Sequence, residues 1–190
     1  MKKRMLAMIF AVMMAFGAAG CGGSEPQAET EDLSEAIMTE MVEELQSYDA
    51  DLDAAAAAEA GLFTIEKGAV IGGQEKWDAF MAEETDSVIV CQFSMKGGAM
   101  LDYVRRMEDG SCFVISDLTR DGYEYEEKKD YTGQSFTEIK VFENFVNGGD
   151  GTPHTLCVLT NDENLDAATF QTYWNEFSHE EHGAFLLFVI

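Results

Sequence analysis

Apolar positions along this chain repeat with two different periods. Leu33, Ile37, Met38, Met41, Val42 and Leu45 fall three or four apart, which predicts a helix over 32–48. Residues 51–60 are almost all alanine, the best helix former, with Asp51 placed to cap the start and Gly61 to stop the end. Leu62 to Ile71 reads as a strand or short hairpin. Gln74 to Glu83 reads as a short helix with Trp77, Phe80 and Met81 on its inner face.

The period then changes to two. Ser87–Met95, Ala99–Met107, Ser111–Leu118 and Tyr123–Glu127 are strand-like runs, separated by Gly97-Gly98, Asp109-Gly110 and Asp121-Gly122. Asp-Gly between alternating runs predicts a type I′ hairpin, whose two central residues both need positive φ. Further strands are expected at Phe136–Phe145 and His154–Thr160, joined by the turn-rich loop Asn147–Pro153. A last helix is expected over 166–178, capped by Asp166, stapled by Leu165 and Phe170, and buried along Phe170, Tyr173, Trp174 and Phe177. The unbroken apolar run Ala184–Ile190 suits a central, inner strand of the sheet covered on both faces. The pattern predicts a single α+β domain, an antiparallel β-meander with helices packed on one side.

The N-terminus follows a different logic. Lys2, Lys3 and Arg4 precede an apolar run from Met5 to Ala19, and Gly20-Cys21-Gly22-Gly23 follows. A basic segment, an apolar segment of this length and small residues at a cut site are the parts of a secretory signal. A membrane-spanning helix needs about 18 or more apolar residues, and the glycines interrupt this run. Ala18-Ala19-Gly20-Cys21 resembles the lipobox of bacterial lipoproteins, with Ala18 where leucine is usual. That resemblance implies cleavage before Cys21 and a diacylglycerol on its sulfur, with a second acylation giving stable attachment. The expected organisation is a signal peptide over 1–20, the lipidated Cys21 with a tether to residue 31, and a globular domain over 32–190. Residues 22–31 lack large apolar side chains, which is why they read as a tether. The expected location is the outer face of a cell membrane.

Charge narrows the partners. The chain has 36 acids against 12 bases, three of which lie in the leader, so it repels nucleic acid and anionic headgroups. Cys91, Cys112 and Cys157 each sit in an apolar run, which favours buried free thiols over one disulfide and a leftover thiol.

Several segments resemble an uncharacterised family of small exported proteins, many of them lipoproteins, from Gram-positive bacteria. They are Gly73-Gln74-Glu75-Lys76-Trp77-Asp78-Ala79-Phe80, then Asp117-Leu118-Thr119-Arg120-Asp121-Gly122, then Val158-Leu159-Thr160-Asn161-Asp162-Glu163-Asn164-Leu165. The resemblance spans roughly residues 60–178. It implies fold and location and assigns no catalytic residue.

Local clusters give weak chemistry. His179-Glu180-Glu181-His182 has its histidines three apart, where the zinc-protease motif needs four, and His154 would have to supply a third ligand. His154 and Cys157, an odd number apart on a strand, point to opposite faces. The oxygens of Asn161–Asp166 lack the order of a calcium loop and suit a helix start. Lys128 and Lys129 are an isolated basic pair. Trp77 and Trp174 lie on apolar stripes and read as core. No motif names a cofactor or metal. The leading expectation is therefore an anchored, non-enzymatic binding or accessory domain with an extracytoplasmic partner or ligand. Its rivals are a hydrolase built on carboxylates such as Asp117, Asp121 and Glu124, and an inhibitor or immunity-type lipoprotein.

Overall fold

The computed structural model describes residues 27–93, 97–121, 131, 133–146, 151–176 and 179–190. Helix α1 spans Gln27–Gln46 and α2 spans Ala54–Glu59. The hairpin strands β1 (Phe63–Glu66) and β2 (Ala69–Gly72) lead into α3 (Gln74–Met81). Strands β3 (Ser87–Phe93), β4 (Ala99–Arg106), β5 (Cys112–Asp117) and β6 (Gly133–Phe136) follow. Then come β7 (Glu138–Val146), β8 (Pro153–Thr160), α4 (Ala167–Glu176) and β9 (Ala184–Val189).

The α+β class holds, with the strands divided between two sheets: β2-β1-β3-β4-β5-β6 and β7-β8-β9. Pairing is antiparallel except between β1 and β3, which α3 makes parallel by carrying the chain back over the hairpin. Alternation then builds three cores. Val88, Val90, Val104 and Val114 turn inward onto Cys157, Leu159, Leu187 and Phe188 of the smaller sheet, where α3 adds Trp77 and Phe80. Ile89, Cys91, Leu101 and Ile115 turn outward under Met41 and Leu45 of α1. Leu156 and Val158 turn to the far side under Phe170 of α4. The order of layers is helix, sheet, sheet, helix, so helices cover both outer faces of the stack.

Several local expectations need correction. Helix α1 begins at Gln27, five residues before the expected start at 32. Asp53, not Asp51, caps α2, accepting from the Ala56 amide at 2.8 Å. At the other end Gly61 (φ +80) allows the closing bonds Gly61 N–H to Ala58 and Leu62 N–H to Ala57, the Schellman pattern. The alanine run itself has a packing reason. Ala58 lies so close to Gly72 of β2 that a Cβ there would meet the Ala58 Cβ at 2.4 Å. Met81 is exposed while Trp77 and Phe80 are buried. At Asp109-Gly110 only Gly110 has positive φ, which makes a three-residue loop with a bulge instead of a type I′ turn. The expected strand at Tyr123–Glu127 lies outside the described residues.

The run Phe136–Phe145 is two strands. The chain leaves the larger sheet at Phe136 and enters the smaller one at Glu138. Asn161 braces this crossing: its carbonyl accepts the Thr137 N–H at 3.0 Å and its amide donates to the Ser135 carbonyl at 3.2 Å. Strand β9 is covered on both faces but lies at an edge of its sheet, with an extra residue at Leu187 that lets Leu187 and Phe188 both enter the middle core. Phe188 meets Trp77 edge-on at 4.9 Å. Asp166 caps α4, and Leu165 and Phe170 are both buried, as a hydrophobic staple requires.

Candidate functional site

The last turn of α1 and the residues just after it turn carbonyls toward the loop that follows β5. Arg120 in that loop collects them. Its Nη2 donates to the carbonyls of Leu45 at 2.9 Å and Tyr48 at 2.7 Å, and its Nε donates to the Asp49 carbonyl at 2.8 Å. Nη1 donates to the Asp117 carboxylate, whose other oxygen accepts from the Thr119 amide at 2.9 Å and hydroxyl at 2.7 Å. The Arg120 and Asp117 side chains are 6% and 1% exposed. A buried pair persists only when its remaining hydrogen-bonding capacity is met, and here the helix end meets it.

Above this clamp lies a cleft of about 520 Å³, walled by Gln46, Ser47, Tyr48, Asp49, Thr119 and Tyr131. On the other side of Tyr48 is a smaller hollow of about 200 Å³, whose lining includes Glu44, Lys76, Ser87 and Tyr103. Burial raises the Tyr48 hydroxyl pKa above the ordinary tyrosine value, and the Glu44 carboxylate adds to that. Both charged groups of the cleft floor are committed to the fold; among the described lining residues Gln46, Ser47 and Asp49 are exposed, while Tyr48 and Tyr131 also pack against the core under α1.

The carboxylates expected to serve a hydrolase do not gather here in that role. Asp117 is the clamp's counter-ion, Asp121 is buried one turn further on, and Glu124 lies outside the described residues. Cys21, Lys128 and Lys129 also lie outside them. Cys157 faces the middle core, where burial, and then Cys112, push its thiol far up. Burial pushes Cys91 up to about 12 and also raises Cys112. All three are free and buried.

His182 stacks on Tyr173 with ring centroids 4.0 Å apart, and His179 stacks on Trp174 at 5.8 Å. Both histidines thus fold back onto α4. The turn is tied in front of Ala184, which pairs with Thr160, whereas His154 sits at the opposite end of β8. Among the described residues no three metal-ligating side chains come together. Asn161, Asp162 and Asp166 use their side-chain oxygens on backbone amides of Thr137, Asn164 and Thr169. The Thr169 amide and then its hydroxyl hold the Asp166 carboxyl below the ordinary range. Among the described residues no helix is long and apolar enough to cross a membrane.

Sequence reasoning missed the cleft and one further group. Asp102 in β4 points into the layer between the sheets, where Ser116 Oγ donates to it at 2.5 Å. Burial pushes its carboxyl up to about 6, against hydrogen bonds from Ser116 and Gln92 that pull it down. Gln92 in turn donates to the Leu187 carbonyl of β9 at 2.6 Å. An acid flanked by Leu101, Tyr103 and Val104 was the signal that could have revealed it. No family model matches this chain, and neither a curated protein nor a solved structure matches it.

Proposed function

We propose that this chain is a lipid-anchored exported protein whose domain binds a ligand or partner outside the cell, through the cleft at the end of α1. The observation that carries the binding role is the Arg120 clamp. It commits the floor's charges to holding two distant segments in place, and so keeps an open, tyrosine-walled cleft in a fixed shape. The anchoring role rests on the lipobox-like residues before Cys21.

The two roles fit together geometrically. Helix α1 has 20 residues, which at 1.5 Å per residue is about 30 Å. Cys21 precedes its first turn by a stretch that cannot exceed about 20 Å. On this reading the anchor joins the chain ahead of the start of α1, and the cleft lies at the other end of that helix.

The test is site-specific photocrosslinking in the membrane of the native host. A photoreactive residue at Gln46, in the cleft wall, should give a discrete adduct, and the same residue at exposed Glu176 on α4 should not. Equal adducts from both positions, or none from Gln46, would overturn the assignment.

A further inference from the structure

We infer that Asp102, Ser116 and Gln92 form a proton-operated latch between the two sheets, shut while Asp102 carries its proton and eased when the proton leaves. The latch is independent of the cleft and lies between the sheets, where β3 and β5 end.

Register brings the three side chains together. Asp102 stands opposite Val90 of β3 and Ser116 of β5, so it leaves the sheet on the inner face with Val88, Val104 and Val114. Gln92, two positions beyond Val90, shares that face. Across the gap, Phe188 of β9 pairs with Cys157 and Leu186 with Val158, which leaves Leu187 as the extra residue of a bulge. Gln92 Nε2 donates to the Leu187 carbonyl at 2.6 Å. Asp102 accepts from Ser116 Oγ at 2.5 Å and from Gln92. One chain of hydrogen bonds therefore runs from β5 through β4 and β3 to β9.

No cation balances the carboxylate: among the described residues no ion pair includes Asp102. Toward it β3 turns Val90 and Gln92, β5 turns Ser116 and β9 a backbone carbonyl. Arg106, on the same face of β4, lies at the far end of the strand over the Phe80 ring. Asp117 leaves the other face of β5 and is paired with Arg120. Cys91 lies on the outer face of β3, Cys112 and Cys157 lie in the middle core, and burial favours the neutral form of all three thiols. An ionised Asp102 in the shut seam is thus a buried charge without a counter-ion, whereas an open seam lets water reach it. Burial pushes the carboxyl from 3.8 up to about 6 and outweighs the hydrogen bonds from Ser116 and Gln92. The proton's contribution to the seam is complete below the ordinary value and is lost as pH rises through the raised one.

The test uses the full chain in detergent micelles, observed by NMR from about pH 4 to about pH 8. Two quantities are read: the carboxyl-carbon shift of labelled aspartate, and backbone hydrogen exchange corrected for the intrinsic rate at each pH. The Asp102 carboxyl should titrate near 6, and protection of the β9 amides should fall about a hundredfold across the range. Those amides should also exchange faster than the slowest amides of β4 at every pH, the mark of an opening smaller than unfolding. In Asp102→Asn the protection of β9 should not change with pH. If that variant does not fold, the two readings on the parent still decide. The latch is overturned by a midpoint at the ordinary aspartate value, by β9 protection that ignores pH in the parent, or by a pH response that survives in Asp102→Asn. Exchange of β9 at the same rate as β4 would overturn it too, because the event would then be unfolding of the whole domain.

Discussion

The guanidinium of Arg120 and the carboxylate of Asp117, three residues apart, are paired beneath the surface while the same guanidinium holds the end of a helix more than seventy positions earlier in the chain. A surface ion pair contributes little, but this one is enclosed. Removing one partner leaves the other as an uncompensated buried charge. Arg120→Ala should therefore destabilise the domain by about 3–5 kcal/mol in chemical denaturation. It should also loosen the end of α1, seen as faster hydrogen exchange around Tyr48. If Arg120→Ala unfolds at the same denaturant concentration as the parent, the clamp is not structural.

A second polar group gives a pH signature. Burial raises Asp102 from 3.8 to about 6. Between those values the folded state holds a proton that the unfolded state has lost, so stability falls as pH rises and levels off above the folded value. The cost at pH 8 is roughly 3 kcal/mol. Asp102→Asn removes the charge and keeps an oxygen for Ser116 to bond. The variant should match the parent near pH 4 and exceed it by up to about 3 kcal/mol at pH 8 in urea unfolding. A difference between the two proteins that does not change with pH would refute the burial of an ionisable carboxyl here.

The thiols make a third case. Cys91, Cys112 and Cys157 are buried, and burial holds each above the ordinary thiol pKa. At pH 8 the native domain should resist iodoacetamide at all three, since only thiolate reacts. Alkylation in denaturant without prior reduction should modify all three, as read by mass spectrometry. A disulfide-linked peptide from an air-free preparation would contradict the arrangement of the two cores that hold them.

How much of this was legible beforehand depends on the range of the forces involved. Period-two alternation revealed β3, β4 and β5, because each side chain there answers to the layer above or below. Asp166 and Gly61 were readable because capping is settled within a few residues. The division into two sheets was not, because the slip in alternation between Phe136 and Ile139 reads equally well as a bulge within one strand. What stops the strand there is Asn161, 24 positions later. The parallel pairing of β1 with β3 is equally non-local. In the cleft, Asp117 was read as a chemical acid although its partner Arg120 stood three residues on. What hid their role was the other half of the clamp, the carbonyls of Leu45, Tyr48 and Asp49, which leave no mark on the sequence.

The C-terminal run tests the stack of layers. Leu187 and Phe188 are fully or almost fully buried, and Gln92 uses the Leu187 carbonyl to join the two sheets. Burying one such side chain contributes about 1.5–3 kcal/mol, against about 5–15 kcal/mol for a whole domain. Deleting residues 185–190 should abolish the cooperative thermal transition and expose dye-binding apolar surface. A truncated chain that melts like the parent would place β9 outside the core.

The proposal that this domain works at a membrane surface depends on Cys21 more than on any other residue. The most direct measurement is metabolic labelling of the host with a clickable palmitate analogue, comparing the parent chain with Cys21→Ala. The parent should carry the label, fractionate with membranes and begin at Cys21 after processing. The variant should be unlabelled and uncut by lipoprotein signal peptidase. A variant that is still labelled and matures at the same position would contradict the anchor.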